Sequence, residues 1–101
     1  MRPHAAHVVA TAKAAVAEAR GDFVGALEAY RDVAARWHQF GMTSERAFAL
    51  LGQGRCLVRL GRGAEAQQPL AAAGQIFASL RAAPHLAETE ALRVDATPRP
   101  G

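Results

Sequence analysis

Few side chains in this 101-residue chain are spaced for chemistry. His4 and His7 fall one helical turn apart and can share a metal ion only if further ligands come from elsewhere; none is near in sequence. His38 and His85 stand alone and read as inter-helix or surface residues. Glu88 and Glu90 point to different faces of a helix, which makes them a poor acid–base pair. Ser44, Ser79 and the threonines have no recognisable base partner. Gly52-Gln53-Gly54 invites a phosphate-loop reading, but no strand precedes it and the third glycine is missing. Cys56 is the only cysteine, which excludes an internal disulfide and a cysteine-based metal cluster within one chain. Its neighbours Leu57, Val58 and Leu60 favour a buried small residue over a reactive thiol. The residues therefore point to no enzyme, no cofactor and no metal. One pair remains: Arg55 and Arg59 lie one turn apart and can clasp a carboxylate-bearing peptide, against the plainer reading of solubilising side chains on an exposed face.

The elements that must position these residues are helices. Half of the residues are apolar but only 6% are aromatic, and Ala dominates, which favours helix throughout a single small domain. Twelve basic residues against nine acidic ones give a net charge of +3, a mild excess spread singly along the chain. Without a basic run, no direct nucleic-acid contact is expected, and a weak nucleic-acid role ranks third among the readings. No apolar stretch approaches the ~20 residues of a membrane span, and the N-terminal region lacks a secretory-signal pattern. The expected location is cytoplasmic, with no membrane partner.

The chain punctuates itself with glycine. Residues 4–20 read as one helix rich in Ala and Val, ended by Gly21. Asp22 is an N-cap for a second helix whose stripe is Phe23, Ala26, Leu27, Tyr30, Val33, Ala34, Trp37 and Phe40, stopped by Gly41. Thr43 or Ser44 is expected to cap a third helix over 45–60, carrying Phe48, Leu50, Leu51, Leu57, Val58 and Leu60. Gly54 inside it costs about 1 kcal/mol relative to Ala and marks a place where a neighbour packs on its backbone. A fourth helix over 63–80 has Ala66, Leu70, Ala73, Ile76, Phe77 and Leu80 as its stripe, and Pro69 should kink it or delay its start. A shorter fifth helix spans 84–95, and residues 97–101 form a Pro-rich tail or linker.

The turn at Leu60-Gly61-Arg62-Gly63-Ala64-Glu65-Ala66 matches Arg20-Gly21-Asp22-Phe23-Val24-Gly25-Ala26 at an offset of 40 residues. At that offset Gly54 falls under Ala14, Leu57 under Ala17, Leu70 under Tyr30, Phe77 under Trp37 and Leu80 under Phe40. Small residues recur where two helices of a hairpin cross, and bulky ones recur on the second helix. This is the logic of an α-solenoid, in which no unit buries its apolar face alone.

Gly54, Leu57, Leu60-Gly61, Ala66, Leu70 and Ala73 resemble the tetratricopeptide (TPR) repeat pattern, with a period longer than its usual 34 or so residues. Lys13 and Gln53 depart from it, standing where that family usually has Leu. More narrowly, Leu51-Gly52-Gln53-Gly54-Arg55-Cys56-Leu57, Ile76-Phe77, Pro84 and Leu86-Ala87-Glu88 resemble the C-terminal repeats of large actinobacterial ATPase and LuxR-type transcriptional regulators. The resemblance implies an all-α, TPR-like α-solenoid of two antiparallel helical hairpins plus a C-terminal capping helix. The repeat domain would cover 1–96, with units 4–41 and 44–81 and the capping helix at 84–95. It implies a non-catalytic protein–protein interaction module, the regulatory or sensor part of a bacterial signalling or transcriptional regulator. Its concave face would be lined by Thr11, Ala15, Glu18, Leu51, Arg55, Val58, Arg59, Glu88 and Leu92. The partner would be a protein or peptide. Two and a half units fall short of a stable stack. The end faces, Ala and Val of the first helix and Leu86/Leu92 of the last, therefore call for adjoining repeats of a larger chain or a homodimer. A stand-alone helical domain acting through homodimerisation is the alternative.

Overall fold

The computed structural model describes residues 3–39, 41 and 43–97, all of whose regular structure is helical. Five helices follow one another: α1 (Pro3–Ala19), α2 (Phe23–Gln39), α3 (Thr43–Arg59), α4 (Gly63–Ser79) and α5 (Ala83–Ala96). Each of the first four has 17 residues, with three-residue connections between them, so a turn falls every 20 residues.

Those turns are built alike. Gly21, Gly41, Gly61 and Arg81 take positive φ values of 82°, 68°, 73° and 56°. Three of the four close with the same pair of hydrogen bonds: Gly21, Gly61 and Arg81 donate to Glu18, Val58 and Ala78, and the next residue donates to Ala17, Leu57 and Phe77. This is the double bond of a left-handed helix ending, which satisfies carbonyls that the helix leaves open. Arg81 adopts the same conformation without glycine, at a steric cost of about 1–2 kcal/mol.

The starts vary more. Asp22 Oδ1 accepts from the Gly25 N–H at 3.0 Å, the expected N-cap. A Cβ on Gly25 would stand 2.3 Å from the Asp22 carboxylate, so glycine at this position leaves room for the cap. The expected cap of α3 is corrected: Thr43 already lies inside the helix, and the Ser44 hydroxyl turns to Glu45. The expected delay at Pro69 does not occur either, since α4 starts at Gly63 and runs through it. Phe40, Met42, residues 98–101 and the side chains of His4 and His7 lie outside the described residues.

Consecutive helices pack against each other along the chain, and α3 also touches both α1 and α5. Among the described residues α2 and α4 do not meet, so α1, α3 and α5 form the tighter, inner side. The core runs between the layers through Leu27, Tyr30, Val33 and Trp37 of α2, Leu50, Leu51 and Leu57 of α3, and Leu70 and Phe77 of α4. Two glycines let α3 approach both neighbours. A Cβ at Gly54 would lie 2.2 Å from Leu70 Cδ2, and one at Gly52 would lie 2.6 Å from the Tyr30 ring. The first close approach is the one expected from the sequence; the second is its mirror on the other side of α3. Phe48 and Leu80, expected in buried stripes, are instead 43% and 49% exposed. Leu80 caps the end of α4, and Phe48 sits on the inner side, edge-on to Phe77 at 5.4 Å and to His85 at 4.8 Å.

Candidate functional site

The helical repeat places Ala15, Glu18 and Ala19 on one strip of α1, and Arg55, Val58 and Arg59 on one strip of α3. Leu92 and Asp95 do the same on α5. Together with Gly21 and Phe23 these residues line one open groove of about 760 Å³ on the inner side. Six of the nine residues expected on a concave face, Ala15, Glu18, Arg55, Val58, Arg59 and Leu92, therefore share a single groove. Thr11 lies further along α1 and lines a smaller hollow of about 370 Å³ with Ala12, Ala15, Trp37, Glu45 and Phe48. Trp37 Nε1 donates to its hydroxyl at 3.3 Å. Ala15 borders both depressions, which makes them two ends of one trough between α1 and α3.

Leu51 is the exception. It is 2% exposed and belongs to the core, so it is not a groove residue. It lies on the same strip of α3 as Arg55 and Val58, so what sets it apart is its burial and not its helix face. On α5, Leu86 and Leu92 are half-buried against the core, and the exposed large apolar side chain among the described residues of that helix is Val94.

Ion pairs fill the floor of the groove. Arg55 donates from Nε to Glu18 Oε2 at 2.7 Å and from Nη2 to Glu18 Oε1 at 3.0 Å, a two-pronged contact between α3 and α1. Its Nη1 reaches Glu88 Oε2 of α5 at 3.2 Å. Tyr30 of α2 donates its hydroxyl to Glu18 Oε1 at 2.8 Å. One carboxylate and one guanidinium thus join four of the five helices.

The titration behaviour follows from this geometry. Burial by itself raises the Glu18 pKa, but the hydrogen bonds from Arg55 and Tyr30, together with the positive charges of Arg55 and Arg59, outweigh it and hold the carboxyl below its ordinary value. Tyr30 is pushed up to about 12 by burial and by its bond to Glu18. Arg55 is held more firmly protonated, first by its hydrogen bonds to Glu18. Behind them Cys56 is fully buried, and burial together with the Glu18 charge pushes its thiol up to about 11. It stays a thiol at neutral pH, in keeping with the small buried residue read from its neighbours.

These contacts divide the two arginines. Arg55 is already held by two carboxylates of its own chain, so of the pair that the sequence offered either as a clasp or as solubilising side chains, Arg59 is the one left open. Arg59 is exposed, its guanidinium carbon 5.8 Å from the centre of the Phe23 ring, and no carboxylate holds it among the described residues. Asp95 stands on the opposite rim. The groove therefore offers an apolar wall (Ala15, Ala19, Phe23, Val58, Leu92), a floor in which two carboxylates face one guanidinium, and Arg59 as a cation at the rim.

Sequence reasoning missed Ala19, Gly21, Phe23 and Asp95. Asp95 follows Leu92 by three residues, a spacing that could have found it; Phe23 was absorbed into the apolar stripe of α2. Among the described residues no three metal-ligating side chains gather, and no helix is long and apolar enough to cross a membrane. Comparison with family models, curated proteins and solved structures finds no match.

Proposed function

We propose that this chain is a non-catalytic protein–protein interaction module, a TPR-like α-solenoid that takes a peptide segment along the trough formed by α1, α3 and α5. The observation that carries this reading is the shared groove: three helices from successive units bring six of the expected residues to one open concavity of mixed apolar and charged lining. The salt-bridged floor keeps the three helices in register, so the groove is preorganised and a ligand need not order it. The segment that fits has small apolar side chains against Ala15, Val58 and Leu92 and a carboxylate placed to meet Arg59. The resemblance to the C-terminal repeats of bacterial ATPase and LuxR-type regulators extends this to a sensor or regulatory region of a signalling protein.

The test is selection of binding peptides from a random library against the wild-type chain, followed by titration of the winners against variants. Ala15→Arg fills the trough from an exposed position, and Arg59→Glu reverses the rim charge. Binding weakened at least tenfold by each variant, with unchanged helicity, is the expected result. Peptides that bind both variants as well as wild type would remove the groove from the function.

A further inference from the structure

The internal repeat shows what a second surface of this protein is shaped to receive. Each inner helix has a backward face, turned toward the outer helix that precedes it. On α3 this face is Ala49, Gly52, Gln53 and Cys56, covered by α2, with Tyr30 over Gly52. Of the four residues 40 positions later on α5, Thr89 and Ala96 are covered by α4, with Gly74 approaching Thr89 and Gly63 meeting the Ala96 backbone, while Leu92 and Arg93 are half-buried. Ala49, Cys56 and Thr89 are 0% exposed and Ala96 is 5% exposed. The matching residues of α1, Val9 and Val16, are 54% and 48% exposed. They line a surface cleft of about 440 Å³ with Ala12, Lys13, Ala17, Arg20 and Asp22. At these two positions the larger side chains, Val9 and Val16, thus stand on the helix where none of the described residues covers them.

From this register we infer that the backward face of α1 is a docking site for an amphipathic helix of a partner protein, lying antiparallel to α1 as α2 lies on α3, with an aliphatic stripe flanked by Asp or Glu. Three observations fix the chemistry of that helix. First, α2 and α4 demonstrate twice that this face is completed by a helix. Second, the central residue is Ala12 where α3 has Gly52. A Cβ at that position comes within 2.6 Å of the ring that α2 places there, so the partner carries an aliphatic side chain rather than an aromatic one. Third, the rim holds two cations, Lys13 and Arg20, against one carboxylate, and that carboxylate, Asp22, already accepts from the Gly25 N–H. On α3 the residue matching Lys13 is the neutral, buried Gln53. A second copy of this chain fits poorly, because a two-fold pairing of α1 with itself centres on Ala12 and Lys13 and brings Lys13 against Lys13.

The test uses the full chain and two synthetic helical peptides, 17 residues long like α2 and α4. Both have an Ala backbone with a Leu stripe; one is flanked by Glu and the other by Lys. Binding is followed by amide chemical shifts and by sedimentation. The Glu-flanked peptide is expected to bind at least tenfold more tightly than its twin, with shifts confined to α1. Lys13→Glu should reverse that preference, and Val16→Asp should abolish binding while helicity stays unchanged. Ala15→Arg, in the trough on the inner side, should leave this binding intact, which separates the two surfaces. Equal binding of both peptides, binding that survives Val16→Asp, or shifts that map to the inner trough would each overturn the inference. So would a wild-type dimer that Val16→Asp converts to monomer, since the face would then belong to a second copy.

Discussion

α1 and α3 hold the same place in successive hairpins, and the difference between them separates what a helix needs to form from what it needs to be buried. Both have 17 residues, and α1 ends in the glycine turn that α3 repeats. Yet α3 is enclosed by α2 on one side and α4 on the other, and it tolerates two internal glycines because both neighbours press on its backbone. Among the described residues α1 packs on α2 through Ala10, Ala14 and Ala17 and reaches α3 through Glu18, and carries Val9, Lys13 and Val16 on its exposed side. The lesson is that a repeat position does not determine burial. The same register is buried on α3, where α2 covers it, and exposed on α1.

That contrast can be broken at matched positions. The largest effect is expected for Leu51→Ala, which removes a side chain that is 2% exposed and leaves a cavity in the core. Chemical denaturation should show a loss of about 2–5 kcal/mol. The matched change in α1, Thr11→Ala, should cost no more than about 1–2 kcal/mol through the lost hydrogen bond to Trp37. Equal losses would mean that α1 is as enclosed as α3.

A smaller and sharper effect is expected at Gly52. Gly→Ala inside a helix ordinarily stabilises by about 1 kcal/mol. Here the new Cβ would overlap three atoms of the Tyr30 ring, so Gly52→Ala should destabilise by about 1–3 kcal/mol instead. At the matching exposed position Ala12→Gly should follow the ordinary rule and cost about 1 kcal/mol. A stabilising Gly52→Ala would show that α2 does not press on α3 there.

The smallest effect is in the alkaline range, where Tyr30 and Cys56 sit beside the Glu18–Arg55 pair that joins α1 to α3. Both folded-state pKa values are raised, Cys56 from 9.0 to about 11 and Tyr30 from 10.0 to about 12. The protonated forms are favoured by folding, so their contribution is complete below pH 9 and is lost as pH rises through these windows. Glu18 acts at the other end: its lowered pKa gives stability that is present above the ordinary carboxyl range and lost as pH falls. Stability measured against pH should therefore be level near neutrality and decline above about pH 9. Tyr30→Phe should cost about 1 kcal/mol at pH 7 and remove the steepening between pH 10 and 12. An unchanged alkaline limb in that variant would argue that the Tyr30–Glu18 bond does not form.

Much of the fold was legible because its signals are local. Gly21, Gly41 and Gly61 mark helix ends through backbone freedom alone, Asp22 announces its own cap, and the spacing of Phe23, Leu27, Tyr30 and Trp37 names the buried face of α2. The fourth turn was harder to read, since Arg81 reaches the glycine conformation without being glycine. At the groove, helical spacing alone grouped residues within one helix: Ala15 with Glu18, Arg55 with Arg59. It could not pair Glu18 with Arg55, which are 37 residues apart, or decide that Leu51 is buried.

The sequence by itself determined that the chain is helical, where the first three helices stop, that a unit recurs every 40 residues, and which residues are small enough for close crossing. Those properties depend on backbone sterics and on side-chain periodicity within about four residues. Tertiary structure alone decided that Arg55 is held by Glu18 and Glu88 while Arg59 is not, and that Val9 and Val16 stand uncovered where Ala49 and Cys56 are buried. Those outcomes turn on which helix lies beside which, and a charge or a methyl group acts on its neighbour through space, at distances that the order of residues does not record.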